Sequence, residues 1–308
     1  MSLFDGGAGS DRAYEALRTR DSQGAREARL VLDKMYERVA PYLDSDLQAK
    51  IRIQFCACQW EICLAVALLD AGISLVPRLE REPRAKGPDL LGNVDGKRFW
   101  FEAVAVGRGT GEDRVKEMEG CCSHLVQEEG VMLRILSALR EKFGKYQTYL
   151  QEKWFSVNDG FIIALNASQI GTDAYLEVTI PYIVRSVLPY GHEVAHWDMQ
   201  AMKVVAYSHE HCDRLVKESG SLVEKRMFQD QRFSGISAVM YSVLDVLGHR
   251  ECCPDRALVP GESFITVHNP LALVPLPWGT LKQGDEYRVQ KGSMDTDELF
   301  RHPWRSNP

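Results

Sequence analysis

Between positions 25 and 39, leucine, valine and methionine recur at helical spacing and Pro41 ends the pattern, which predicts an amphipathic helix. A longer helix is expected after Asp44 or Ser45, both good N-caps, running through QFCACQWEICLAVALLDAG to its stop at Gly72. Towards its end it is apolar around most of its circumference, so it should be buried. Residues 73–76 read as a first strand. A hairpin follows: 88–91, a turn through Asn93-Val94-Asp95-Gly96, then the strongly apolar 98–106. Residues 107–124 are glycine-rich and charged, hence a loop. A helix is expected over 131–154, and after Asn158-Asp159-Gly160 comes the buried strand FIIALNAS. Beyond Asp173 the pattern loosens to a helix ending at Leu188 and strands near 202–207, 234–243 and 264–267.

The order helix, strand, hairpin, helix, strand predicts an α/β protein. Residues 1–22 read as a flexible N-terminal arm, 23–292 as a single domain with a core at about 45–166 and a C-terminal extension from about 173, and 293–308 as a tail.

Composition narrows the function classes. With 308 residues, 45% of them hydrophobic, the chain can bury a large core. The start shows no basic-then-apolar leader, and the longest apolar run, near Cys63, is too short to cross a bilayer, so a cytoplasmic location without membrane contact is expected. A net charge of −6 excludes a surface that is basic all over, so any nucleic-acid contact must be a local groove. The eight cysteines form no paired CxxC knuckles. SHEHC at 208–212 and GHRECC at 248–253 leave a zinc site open if the fold brings them together, against the blander reading of surface histidines and small buried thiols.

The hairpin carries the candidate chemistry. A four-residue loop would set Gly92 opposite Lys97 and Asp89 opposite Trp100, making Asp89 and Glu102 diagonal neighbours roughly 7–8 Å apart on one face. Glu102 sits in FWFEAVAV, where a buried carboxylate needs a cation or a salt bridge. Glu61, in CQWEICLAVALL, is a third acid inside an apolar stretch; its alternative is a residue reaching solvent along the core edge.

With Pro88-Asp89, Glu102, the helix-borne Glu61 and the basic helix after the hairpin, residues of about 45–166 resemble the PD-(D/E)xK, or restriction-endonuclease-like, superfamily, in a divergent bacterial branch. The tail segments GSLVEKRMF, FSGISAVMYSVLDV and SFITVHNPLALVPLP resemble those of uncharacterised bacterial proteins with such a domain. The resemblance implies a mixed central sheet flanked by helices, with additional C-terminal strands. It implies a nuclease using Mg²⁺ or Mn²⁺, with Asp89, Glu102 and the Ala103 carbonyl as metal ligands and Glu61 as an outer or second-metal ligand. Nucleic acid, DNA before RNA, is the implied partner, and a homodimer is compatible with it.

The lysine this family carries two residues after the second acid is here Val104, which can neither orient water nor stabilise developing charge. The next helix offers a substitute in Lys142, which forms a KxxxY pair with Tyr146 that looks like the QxxxY element of the exonuclease-like branch. Arg134 and Lys145, on a second stripe, and Tyr146 are expected at nucleic acid, against the alternative of a solvated basic face. Without a substitute lysine, an inactive nucleic-acid-binding or interaction module is the other reading.

A zinc protease is the third, because His192-Glu193-Val194-Ala195-His196 is a literal HExxH. Pro189 and Gly191 before it disfavour a helix, and the segment fits better as the first arm of a β-hairpin. Residues four apart in a strand lie ~13 Å apart and cannot share one zinc.

Overall fold

The computed structural model describes residues 2–82, 87–117, 126–171, 174, 180–291 and 297–303. Four helices open the chain: α1 (Arg12–Thr19), α2 (Gln23–Val39), α3 (Leu47–Lys50) and α4 (Phe55–Asp70). The N-terminal segment is not a loose arm. Tyr14 and Leu17 are fully buried, and Asp11 caps two helices at once. One of its oxygens accepts from the amides of Ala13 and Tyr14, the other from Phe55 at the start of α4. The helix expected to run unbroken to Gly72 is therefore two, because that second cap restarts it at Phe55.

Strands β1 (Ser74–Leu75), β2 (Leu90–Val94) and β3 (Lys97–Ala105) precede helix α5 (Glu128–Tyr149), which crosses over to strand β4 (Gly160–Asn166). Helix α6 (Tyr182–Val187) leads into the hairpins β5 (Tyr190–Asp198) with β6 (Lys203–His211), and β7 (Arg214–Val216) with β8 (Leu222–Glu224). Strand β9 (Ala238–Ser242), helix α7 (Val246–Cys252) and strands β10 (Ile265–His268), β11 (Asp285–Lys291) and β12 (Asp297–Pro303) complete the described chain.

Eight strands form one sheet in the order β1-β2-β3-β4-β9-β10-β11-β12. It is mixed: β3, β4 and β9 run parallel, whereas β2 pairs with β3, and β10 with β9, antiparallel. β11 and β12 were not anticipated; part of the expected C-terminal tail is this edge strand, and 292–296 and 304–308 lie outside the described residues. Alternation along β3 divides the two faces. Phe99, Phe101 and Ala103 join the core beneath α4, while Trp100 and Val104 pack on the α5 side. Among the described residues no helix is long and apolar enough to cross a membrane.

Candidate functional site

The hairpin turn fixes where the acids meet. Asp95 and Gly96 both have positive φ, 49° and 76°, so β2 and β3 are joined by a two-residue turn of the kind that matches strand twist. The register is Leu90 opposite Phe101 and Leu91 opposite Trp100, two residues from the expected one. Continued one residue past β2, it sets Asp89 directly across from Glu102 rather than diagonal to it. An Asp89 oxygen accepts the Ala103 amide hydrogen at 2.6 Å, which holds the carboxylate beside β3.

Glu102 is 2% exposed and faces α5. Three donors from that helix converge on it. Lys142 Nζ lies 2.7 Å and Lys145 Nζ 3.0 Å from Oε1, and the Tyr149 hydroxyl donates to Oε2 at 3.2 Å. Positions 142, 145 and 149 are spaced i, i+3, i+7, hence one stripe of the helix. Lys142 is buried with the carboxylate, whereas the Lys145 side chain is 46% exposed and marks the way in.

The three expected nucleic-acid contacts take different places. Tyr146 is buried, its ring packed on Phe143, Phe155 and Phe161, so it is a core residue; the tyrosine at the carboxylate is Tyr149, which sequence reasoning missed. Lys145 shares a stripe with Lys142 and Tyr149, pairing with Glu102 while staying half-exposed. Arg134 donates from Nε to the Gly107 carbonyl at 3.0 Å, tying α5 to the loop after β3.

Electrostatics set this region apart. Burial first, and then the facing Glu102 charge, pushes the Asp89 carboxyl up to about 7, against the pull of the Ala103 amide and both lysines. Burial and the negative charges of Asp89 and Asp44 hold Glu61 well above the usual carboxylate range. On the other side of Asp89, buried Arg81 donates to the Asp89 and Tyr42 carbonyls, both at 2.6 Å, and burial pulls its guanidinium down to about 10. Partial burial opposes the charge of Lys145, yet Glu102 carries its net shift upward. Three acids are thus gathered near one another, and burial first and their neighbours' negative charges second hold two of them from ionising.

Among the described residues no group of three or more His, Cys, Asp or Glu side chains is arranged to hold a metal ion. That includes the SHEHC and GHRECC segments. Burial pushes the Cys56 and Cys63 thiols up to about 12, which keeps them protonated and inert. His192-Glu193-Val194-Ala195-His196 lies on strand β5, not a helix, and both histidines are exposed. His196 pairs with the Ser208 hydroxyl at 2.7 Å, and His192 Nδ1 stands 3.8 Å from Glu128. This geometry rules out a shared zinc ion between them. A cavity of about 1010 Å³ is lined by residues that include Glu112, Glu128, His192 and Lys217 but neither Asp89 nor Glu102.

No family model matches the chain, and neither curated proteins nor solved structures include one similar to it.

Proposed function

We propose that this chain is a divergent PD-(D/E)xK-type nuclease that hydrolyses phosphodiester bonds in nucleic acid, with Lys142 supplying from α5 the ammonium that Val104 cannot supply from β3. The observation that carries this reading is the 2.7 Å contact between Lys142 and Glu102, directly across the hairpin from Asp89. A helix-borne lysine is thereby at the carboxylate pair.

The donor set fits a hard divalent cation. Two carboxylates and a backbone carbonyl are oxygen ligands, and Mg²⁺ is commonly held by one or two carboxylates with water and substrate oxygens completing the shell. Asp89 and Glu102, with the Ala103 carbonyl, would hold it, and Glu61 stands within electrostatic reach of both acids. When bound, such a cation would supply Lewis acidity for a water nucleophile and for the charge on the phosphoryl oxygens.

The chain's own groups do the rest. Asp89 is held beside β3 by the Ala103 amide. Lys142 orients the attacking water and stabilises the charge that develops on phosphorus-bound oxygen as the P–O bond to the leaving group breaks. Lys145, half-exposed beside it, meets the incoming phosphate. Tyr149 holds Glu102 Oε2 so that the carboxylate cannot rotate away.

The test is cleavage of plasmid and single-stranded DNA in Mg²⁺ or Mn²⁺. The wild-type chain is expected to cut, Asp89→Asn and Lys142→Met to lose cutting, and Val104→Lys combined with Lys142→Met to recover part of it. Equal cutting by wild type and Asp89→Asn would remove this site from the reaction. A second reading has its own support: both oxygens of Glu102 are already engaged by α5, as in a structural ion-pair centre of an inactive nucleic-acid-binding module. That reading expects binding of DNA without metal-dependent cleavage.

A further inference from the structure

The β5–β6 hairpin is an arm, a two-stranded sheet apart from the eight-stranded one, with most positions exposed on both strands. At its base three segments meet. The Cys212 amide, just past β6, donates to the Pro189 carbonyl, just before β5, at 2.8 Å. The chain then turns into the β7–β8 hairpin, where the Lys225 amide donates to the Asp213 carbonyl at 2.9 Å. Backbone hydrogen bonds thus fix Cys212 and Lys225 at the joint between two hairpins. Gly191 permits the close fit, since a Cβ there would stand 3.1 Å from that of Cys212.

The Lys225 side chain is 0% exposed, and its Nζ donates to the Tyr190 carbonyl at 2.8 Å rather than to a carboxylate. It also lies within hydrogen-bonding reach of the Cys212 sulfur, whose own thiol hydrogen is donated to the Arg214 carbonyl at 3.3 Å. A buried ammonium resting on neutral acceptors is costly. Burial accordingly pulls Lys225 below the ordinary lysine value, against the opposing pull of Cys212 and with Arg185 pressing the same way as burial. The form so favoured is the neutral amine, which has a lone pair.

Cys212 differs from the other five described cysteines. Cys56, Cys58 and Cys63 lie on α4 with their thiols pushed up by burial, and Cys252 and Cys253 are exposed at the end of α7. Cys212 is half-buried, so its sulfur combines partial access from solvent with a buried amine behind it.

We infer that Cys212 and Lys225 are an oxidative cross-linking site, at which a hydroperoxide joins the cysteine sulfur to the lysine nitrogen and ties the base of the β5–β6 arm to the end of the β7–β8 hairpin. In the first step the sulfur attacks hydrogen peroxide and the O–O bond breaks. One oxygen stays as the sulfenic acid, and the other leaves with the thiol proton as water. In the second step the Lys225 lone pair attacks that sulfur, the S–O bond breaks, and the hydroxyl leaves as water with a proton from the amine. One peroxide is reduced to two waters while the sulfur gives up two electrons. Excess thiol reverses the bond by attacking the sulfur and releasing the amine, and a second thiol then frees the cysteine as a disulfide of the reductant. The inference stands independently of the nuclease reading.

Peptide mapping by mass spectrometry tests it on the full chain, treated with hydrogen peroxide and then alkylated. The peptides holding Cys212 and Lys225 are expected as one joined species, lighter by two hydrogen atoms than their sum and separated by dithiothreitol. Cys212→Ser and Lys225→Met should each lose that species completely, with circular dichroism melts reporting that the variants are folded. Because the link is located directly in wild type, the result does not depend on either variant. Cys212 recovered with added oxygen and Lys225 free would overturn the inference, as would a disulfide from Cys212 to another cysteine, or oxidation of Cys252 and Cys253 while Cys212 stays a thiol.

Discussion

At the Glu102 centre, three donors from one helix close on a carboxylate that is 2% exposed, while on the β5–β6 arm the histidines of a well-known metal-binding string stand in solvent on a strand. Both regions carry residue types that hold metals. Only the first is built into the sheet and the helix that crosses it, so its groups are held at hydrogen-bond distance by packing. The second keeps the spacing of its string and loses its geometry, because four residues span ~13 Å in a strand and one turn in a helix. Residue spacing becomes chemistry only through the period of the backbone that carries it.

The contrast predicts its own tests. The largest effect is expected in DNA cleavage: Lys142→Met should lower the rate at least ~100-fold, the scale of losing a positioned proton-handling or charge-stabilising group. His192→Ala and His196→Ala should leave it within about twofold, measured under the same Mg²⁺ conditions. Loss of cleavage in either histidine variant would reverse the assignment.

Stability should follow the same division. Removing one partner of a buried ion pair costs about 3–5 kcal/mol, and because Lys145 and Tyr149 still reach Glu102, Lys142→Met is expected near the lower end. Arm substitutions at exposed histidines should fall within about 0.5 kcal/mol of wild type. Urea unfolding read by circular dichroism separates the two; equal costs would mean the Glu102 centre contributes nothing special.

The pH dependence sharpens the point further. Below the ordinary Asp value of 3.8, Asp89 is protonated in both folded and unfolded chains; between 3.8 and about 7 the folded chain keeps a proton that the unfolded chain has released. Stability of the metal-free protein should therefore fall as pH rises through that window, with Glu61 adding a slope of the same sign. Asp89→Asn should flatten the profile, as read by chemical denaturation at a series of pH values. A slope unchanged in that variant would place the proton elsewhere.

The smallest effect belongs to Tyr149→Phe. It removes one 3.2 Å hydrogen bond to a carboxylate that retains two ammonium partners, for an expected loss of about 1 kcal/mol by thermal melting.

Much of the centre was readable from sequence because its signals are local. FWFEAVAV could only be a buried strand with one charge to neutralise, and Lys142 was reached by asking which nearby helix could supply an ammonium. The register was misread by two residues, since Asp95-Gly96 forms the whole turn and the wider Asn93 to Gly96 loop does not exist. Tyr149 was missed for a similar reason: the four-residue Lys142–Tyr146 spacing drew attention from the seven-residue spacing that leads to Glu102. The N-terminal helix was hidden by polar surroundings, although Asp11, Tyr14 and Leu17 together are a cap followed by a buried stripe. The outer strands β11 and β12 depend on pairing with β10 and with each other, a tertiary decision that charged, alternating sequence does not announce.

The crossover from β3 through α5 to β4 also orders the centre in time. Asp89 meets Ala103 across 14 residues, within reach of a hairpin that closes in about 1–10 μs, whereas Lys142 must return across 40 to find Glu102. The acids are therefore expected to come together before the cation that makes their burial tolerable. The chain would pass through a stage in which two carboxylates repel each other at a half-made strand, and adding salt or lowering the pH should relieve it. Refolding by stopped flow should accelerate under either condition in wild type and lose that sensitivity in Asp89→Asn, a kinetic trace of the same proximity that poises the folded site.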